Sequence, residues 1–110
     1  MYVGRDFPPA EQTESDVYGL DFINDLDVGE QIVSSTWYLT VTDGTDPNPQ
    51  FHLQGPSKLY TTDDNTMPTA TIQRIGGLWA GVTYKARAEV TTDFGNIKSL
   101  WSHIHGVDAT

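Results

Sequence analysis

A turn that leads into a strictly alternating stretch constrains the fold of this chain more than any other feature. Residues 78–84 read LWAGVTY, and residues 85–91 read KARAEVT, in which small or apolar side chains alternate with polar ones. A period of two is typical of a strand with one buried face. A tyrosine early in such a strand, just after a glycine turn, is typical of the corner between two packed sheets, where its hydroxyl bonds nearby backbone. The chain is therefore predicted to fold as a β-sandwich.

Three earlier stretches show a similar alternation. A first strand beginning at Val17 is predicted to turn Tyr18, Leu20 and Phe22 to one side. A long strand over residues 32–41 has on one face Val33, Ser35, Trp37, Leu39 and Val41. A third, over residues 69–75, alternates Ala70 and Ile72 with Thr69, Thr71 and Gln73. Trp37 is the predicted central core aromatic, because aromatic side chains on an apolar strand face dominate burial.

The last two strands are predicted over residues 82–92 and 97–107, joined by a hairpin turn at residues 93–96. The side chains predicted to face the core are Tyr84, Ala86, Ala88 and Val90 on the first strand and Leu100, Ser102 and Ile104 on the second. Those predicted to face outward are Lys85, Arg87 and Glu89, then Trp101, His103 and His105. The two small alanines leave room for a bulky neighbour, for which Trp37 is the candidate.

The middle of the chain is rich in turn formers. Residues 42–49 read TDGTDPNP, which predicts a loop with a sharp bend at Asp43–Gly44. Short strands are expected around Phe51 and Leu53 and over residues 59–61, at an edge because Pro56 cannot donate a ladder hydrogen bond. A turn is expected at residues 63–65. The predicted fold is an all-β, immunoglobulin-like or fibronectin-III-like β-sandwich of about seven strands with an extended N-terminal arm.

Composition limits the partners and the compartment. A length of 110 residues suits one domain, divided here into an arm (residues 1–16) and a sandwich (residues 17–110). The formal net charge of -9 makes nucleic acid and anionic membrane surfaces poor partners. The chain has no cysteine, so hydrophobic packing must hold the sandwich together. Without a signal peptide or an apolar run of about 18 residues, it is expected to be soluble and made in the cytosol.

The arm is proline-rich and acidic and shows neither strand nor helix periodicity. It contains Phe7, Pro8 and Pro9, and eight acids lie in residues 1–30 against Arg5 alone. One interpretation is a frayed, solvated terminus. The other is an extended segment that becomes ordered only against a neighbouring subunit, with Phe7 as its apolar anchor.

No pattern of residues specifies a metal site. His103 and His105 point to the same side of a strand and could bind a transition metal, but the spacing shows no third ligand. Four loop acids could bind calcium through carboxylate oxygens, but they match no known calcium loop, so solvated turn acids are the preferred interpretation: Asp43, Asp46, Asp63 and Asp64. We therefore predict neither a metal nor a cofactor.

The sequence gives little support to an enzymatic or a sugar-binding role. No nucleophile, base and orienting group can be assembled from the sequence, and no catalytic residue is predicted. Trp79 and Trp101, if exposed, could stack on sugars as the platform of a carbohydrate-binding module. Trp79 could equally pack over the core as a lid at the corner turn, a role that needs no ligand.

Four stretches resemble a family of small tailed-bacteriophage virion proteins described as fibre-tail adaptors. They are YGLDF at residues 18–22, LDVGEQIVSSTW at 26–37, LWAGVTY at 78–84 and VTTDFG at 90–95. The resemblance covers about residues 18–104, and residues 43–67 depart from it. It implies an immunoglobulin-like sandwich present in several copies around a phage tail, where it joins the tail tube or nozzle to fibres or spikes.

The resemblance further implies a non-enzymatic virion protein, made in the bacterial cytoplasm, whose partners are other virion proteins and copies of itself. A capsid decoration protein and a carbohydrate-binding module are the alternatives. Exposed edge strands are expected to offer backbone pairing to neighbours. The acidic N-terminal end of one copy is expected to contact the more basic final hairpin of the next, head to tail around a ring. The residues predicted to mediate interactions are Phe7, Pro8, Pro9, Lys85, Arg87, Trp101, His103 and His105.

Overall fold

The computed structural model describes residues 1–61 and 68–108, and their regular structure is almost entirely β. The strands are β1 (Ala10–Glu11), β2 (Ser15–Asp21), β3 (Ile32–Asp43), β4 (Leu53–Tyr60), β5 (Ala70–Gly76), β6 (Thr83–Thr92) and β7 (Ile97–Val107). Two short 3-10 helices, Ile23–Asp25 and Pro49–His52, are the only helices in these ranges. None of the described residues forms a helix long and apolar enough to cross a membrane. The prediction of an all-β chain with about seven strands is confirmed.

The strands form two sheets. The four-stranded sheet has the order β1-β7-β6-β3, and the three-stranded sheet has the order β2-β5-β4. Neighbouring strands are antiparallel except for β1 and β7, which run parallel. Side chains from both sheets meet in one core, in which Phe22, Leu39, Tyr84 and Ile104 are fully buried. This buried apolar surface is the main stabilising contribution in a chain that has no disulfide.

The final hairpin has the predicted faces. The side chains predicted to face the core from β6 and β7 are all buried: Tyr84, Ala86, Ala88, Val90, Leu100, Ser102 and Ile104. Trp37 is 3% exposed and lies directly opposite Ala88 in the β3–β6 ladder, so the small alanine gives the indole space. Its Nε1 donates a hydrogen bond of 3.0 Å to Thr71. The prediction of Trp37 as a core aromatic is confirmed.

Two predicted positions are wrong, each because of local backbone geometry. Val33 was expected to face inward but is exposed, and Ile32 is buried instead, because the β3–β6 register shifts between Ile32 and Ser34. A bulge of this kind adds one residue and reverses the alternation. Phe51 was expected in a short strand but lies 82% exposed in the second 3-10 helix. The helix follows a proline-rich turn, and Leu53 opens a single strand, β4, at the predicted edge position.

The inward face of β5 is partly polar. Thr71 and Gln73 are buried, whereas Ile72 is half-buried on the opposite face. The Thr71 hydroxyl accepts the indole hydrogen bond and donates to Ser35 Oγ at 2.8 Å. Pairing inside the core removes the cost of burying these polar groups.

The free edge of β3 is covered by side chains. Gln50 Oε1 accepts a hydrogen bond of 2.5 Å from the Leu39 amide, and the Ser57 hydroxyl donates to the Ser35 carbonyl at 3.0 Å. Both groups point away from β6, at the position where a further strand would pair. Two of the backbone groups that would recruit another strand are therefore already used.

The N-terminal segment, residues 1–11, lies along β7. The Val3 amide donates to the Trp101 carbonyl at 3.0 Å, the Phe7 amide donates to the His103 carbonyl at 2.9 Å, and β1 then pairs in parallel with residues 106–107. The expectation that this segment is frayed, or ordered only against a neighbour, is wrong in this structure, because β7 offers it a free edge. The division into a separate arm and sandwich stays a prediction.

The loops between strands gather at two opposite ends of the sandwich. The corner end contains residues 42–52, the turn at residues 77–82 and the end of β7. The hairpin end contains the β2–β3 connection, residues 22–31, and the β6–β7 turn, residues 93–96.

Candidate interaction face

The outward side of the four-stranded sheet gathers five of the eight predicted interaction residues. Strict alternation along β6 and β7 turns them away from the core, as predicted: Lys85, Arg87, Trp101, His103 and His105. Tyr38 joins them, because it lies opposite Arg87 in the β3–β6 ladder. We call this surface the cationic face. It places two of the six Lys and Arg residues of a strongly acidic chain on one sheet surface.

Cations and aromatic rings pack against one another on the cationic face. Lys85 Nζ lies 4.2 Å from the centre of the Trp101 ring, and Arg87 lies 4.5 Å above the ring of Tyr38. Arg87 also pairs with Glu89 at 3.2 Å. A cation held over an aromatic ring contributes about 0.5–1 kcal/mol at an exposed site. These contacts hold both cations in defined positions on the sheet.

The Trp101 ring is largely covered by its neighbours. Besides Lys85, the ring of Tyr2 lies 4.9 Å away and that of His103 lies 5.3 Å away, centre to centre. Stacking on a sugar needs a free ring face. Trp101 is therefore poorly placed for that role, whereas Trp79, at the corner end, is 40% exposed.

An N-terminal cluster forms where the N-terminal segment crosses the cationic face. Asp6 lies 3.0 Å from His105 Nε2 and 3.3 Å from His103 Nδ1, and it accepts a hydrogen bond of 2.8 Å from the Tyr2 hydroxyl. Hydrogen bonds from His105 and Tyr2 hold the pKa of Asp6 at about 2, and the bond to Asp6 raises the pKa of Tyr2. Spacing along the sequence could not reveal Asp6, which lies 97 residues before His103.

The two histidines face one side, as predicted, and Asp6 joins them. Even so, within residues 1–61 and 68–108 no group of three or more His, Cys, Asp or Glu side chains has the geometry to hold a metal ion. The cluster is therefore a hydrogen-bonded contact between the N-terminal segment and β7.

The remaining predicted interaction residues lie on the N-terminal segment. Phe7 is half-buried and packs edge to face against Tyr18, with ring centres 5.1 Å apart, whereas Pro8 and Pro9 are exposed. Phe7 thus closes the side of the sandwich between β7 and β2 rather than projecting toward solvent. Phe7 and Pro8 line a groove of about 590 Å³ beside the edge of β2.

A second cluster, the corner cluster, is buried behind the tyrosine corner. Tyr84 accepts a hydrogen bond from the Trp79 amide at 3.0 Å, as the corner motif predicts, and its hydroxyl donates to Asp46 Oδ2 at 2.7 Å. His52 Nε2 lies 2.7 Å from the same carboxylate, and its Nδ1 lies 3.1 Å from the Gly76 carbonyl. His52 thus joins the loop that carries Asp46 to the end of β5.

The corner cluster corrects one prediction and adds one residue, His52, that the sequence did not indicate. Asp46 was interpreted as a solvated turn acid, but only 2% of its side chain is exposed. Burial favours the neutral acid, but hydrogen bonds from Tyr84, His52 and the Asn48 amide outweigh it and lower the pKa of Asp46. Burial and the bond to Asp46 raise the pKa of Tyr84 to about 12. Every buried side-chain polar atom in the described ranges has a partner, so the cluster leaves none of its buried polar groups unsatisfied.

Of the other loop acids, only Asp43 lies among the described residues. Asp43 is exposed at the end of β3, next to Gly44, whose positive φ of 89° makes the predicted bend. Asp63 and Asp64, and the turn predicted at residues 63–65, lie outside the described residues. The calcium hypothesis therefore gains no support.

Comparisons with protein-family models, with curated proteins and with solved structures found no match to this chain.

Proposed function

We propose that this chain is a non-enzymatic structural protein of a tailed-bacteriophage virion, an adaptor that joins the tail tube or nozzle to tail fibres or spikes. The observation that carries the proposal is the cationic face, where Lys85 and Arg87 are held against aromatic rings. Cations held in defined positions can pair with acids on the surface of a partner protein. Aromatic residues and arginine are also the residue types enriched at protein interfaces.

The strand order supports an immunoglobulin-like sandwich, which the adaptor resemblance implies. If β2 to β7 are taken as strands B to G, the sheets read B-E-D and G-F-C, the arrangement of constant-type immunoglobulin domains. The first strand differs, because β1 pairs with the last strand instead of with the second. The resemblance depends on core positions such as Phe22, Trp37 and Tyr84, which are all buried.

The proposed partners are other virion proteins and copies of this chain, and the proposed location is the virion after synthesis in the host cytoplasm. Nucleic acid and membrane surfaces are not proposed, because a net charge of -9 opposes binding to either. No enzymatic role is proposed, since the sequence predicts no catalytic residue.

Charge reversal on the cationic face tests the proposal. A phage encoding Lys85→Glu together with Arg87→Glu is expected to carry fewer copies of this protein per virion, measured by quantitative mass spectrometry of purified particles. The charge-retaining pair Lys85→Arg and Arg87→Lys is the matched control and should retain near-normal occupancy. Unchanged occupancy with the glutamate pair would overturn the assigned attachment face.

Location within the particle separates the adaptor from the capsid decoration protein. In an asymmetric cryo-EM reconstruction, density for a small sandwich at the junction of tail and fibres supports the adaptor. Density on the capsid hexamers would replace it with the decoration role.

A carbohydrate-binding module is the second candidate, because Trp79 is exposed on a loop at the corner end. Acrylamide quenching of tryptophan fluorescence, with and without oligosaccharides, tests it. Protection of Trp79, lost in Trp79→Ala, would favour sugar binding, and unchanged quenching would remove this candidate.

A further inference from the structure

The hairpin end exposes large apolar side chains where loop tips are usually polar. The side chain of Val28 is fully exposed, and Ile97, Phe94 and Ile23 are 69%, 53% and 42% exposed. Single exposed apolar residues need no explanation, but several at one end of a small domain are typical of a binding surface. We call these four residues the apolar tip.

The two loops that carry most of the apolar tip are bonded to each other. Buried Glu30 accepts hydrogen bonds from the Thr92 hydroxyl at 2.5 Å and from Asn96 Nδ2 at 2.8 Å. Two backbone amides also donate between the loops. The Gln31 amide donates to the Asp93 carboxylate at 2.9 Å, and the Asp93 amide donates to the Gln31 carbonyl at 3.0 Å. A surface fixed in this way loses little conformational entropy when it binds.

The hairpin end is rich in acids. Its described loops and the strand ends beside them carry Asp21, Asp25, Asp27 and Asp93, and Lys98 is the only cation among these residues. A partner complementary to this surface combines an apolar centre with a basic rim.

The outward face of the three-stranded sheet has that chemistry. Its groove of about 260 Å³ is lined by the apolar side chains Val17, Pro56 and Ile72 and by the cations Lys58 and Arg74. The groove lies beside an irregularity in β4, where residues 55–57 have no register partner on β5. We call it the β4 groove. It holds two of the chain's six Lys and Arg residues and none of its acids.

We propose that the apolar tip of one copy docks into the β4 groove of a second copy, with Val28 entering between Lys58 and Arg74. The two surfaces differ, so the contact is head to tail and leaves each copy with one unused tip or groove for the next. The inference rests on the proposed assembly role, but it uses neither residue of the attachment test, Lys85 or Arg87.

Sedimentation velocity of the purified full-length protein over a range of concentrations tests the contact. Wild type is expected to associate reversibly. Val28→Asp, and separately Lys58→Glu with Arg74→Glu, should each weaken association about tenfold or more, because each removes apolar or charge complementarity from the interface. Val28 makes no buried contact in the single copy, so its replacement should leave the fold intact, as circular dichroism would show.

Two matched controls accompany these variants. Phe51→Asp replaces another highly exposed apolar side chain, at the opposite end of the sandwich, and the Lys85→Glu, Arg87→Glu pair makes the same charge change on the cationic face. Both should associate like wild type, even where the second reduces virion occupancy. Loss of self-association and loss of virion occupancy are thus read separately.

Mixing the two defective proteins gives the sharpest result. The Val28 variant keeps an intact groove and the Lys58, Arg74 variant keeps an intact tip, so an equimolar mixture should form a one-to-one complex that neither forms alone. A wild type that stays monomeric up to about 1 mM, association that survives in both variants, or a mixture that stays monomeric would each overturn the proposal.

Discussion

The corner cluster and the N-terminal cluster are built from the same residue types and differ in exposure to water. In each, one aspartate accepts a tyrosine hydroxyl, at 2.7 Å in the corner cluster and 2.8 Å in the N-terminal cluster, and lies within 3.0 Å of a histidine nitrogen. The Asp46 side chain is 2% exposed, whereas that of Asp6 is 37% exposed. Similar distances therefore occur in two different dielectric environments.

Exposure decides what such a cluster contributes. If a partner is removed from the buried cluster, the groups left behind lose a hydrogen bond that water cannot replace. In the exposed cluster water substitutes at once, and the contact mainly positions the N-terminal segment. The first cluster should therefore determine global stability, and the second the local attachment of residues 1–11.

The largest expected difference in stability is between two Gly→Ala variants, one near each cluster. A Cβ on Gly106, beside the corner turn, would lie 2.0 Å from the Trp79 carbonyl oxygen, so Gly106→Ala should prevent the corner from closing and largely abolish folding. Gly4 has a φ of 95° but open space around its Cβ position, so Gly4→Ala should cost only about 1 kcal/mol of backbone strain. Urea unfolding measures both, and equal effects would contradict the contrast.

Replacement of the two aspartates compares the clusters directly. Asp46→Asn should lower the free energy of unfolding by about 3 kcal/mol, because His52 and Tyr84 lose the buried carboxylate that pairs them. Asp6→Asn should leave the midpoint of urea unfolding close to that of wild type. If both variants unfold alike, burial does not govern these contacts.

The two tyrosines extend the comparison to alkaline pH. The pKa of Tyr84 is raised from 10.0 to about 12, so the stability it contributes is complete below pH 10 and is lost as the pH rises toward 12. Tyr84→Phe should cost about 1–2 kcal/mol at neutral pH and remove that alkaline loss. Tyr2→Phe is the matched control and should change neither the stability at neutral pH nor its loss in alkali. Urea unfolding at several pH values would measure both.

The smallest expected effect is local and appears in acid. The pKa of Asp6 is lowered from 3.8 to about 2, so its contribution is present above pH 3.8 and is lost as the pH falls toward 2. Amide exchange of Val3 and Phe7, corrected for intrinsic rates, should therefore increase over this interval before the β6 amides respond. Asp6→Asn should exchange faster than wild type above pH 3.8, approach it near pH 2 and lack the acid step, and an unchanged step in that variant would assign it to another group.

The sequence correctly predicted the features that follow from local alternation of apolar and polar residues. The faces of β6 and β7, the hairpin turn and the tyrosine corner were correct, because a half-buried strand repeats every two residues. Val33 was misplaced because a bulge leaves no signal in the residue pattern. The cationic face followed from the same alternation, although its contacts with the N-terminal segment did not.

The sequence could not predict contacts that join distant residues. Asp46 looked like an ordinary turn acid, and only the folding of its loop over Tyr84 and His52 buries it. Asp6 reaches His105 because the N-terminal segment finds a free edge on β7, which no spacing records. Both clusters depend on long-range topology, so their residue types alone carried no usable signal.

The covered edge of β3 has a consequence for crowded surroundings. Many copies of a sandwich held close together would add strands to one another wherever a long edge stayed open, and such pairing tolerates almost any sequence. Gln50 and Ser57 occupy part of that edge from within the same chain. Neighbours must then be distinguished by the side chains on their surfaces, which can discriminate between partners in a way that bare backbone cannot.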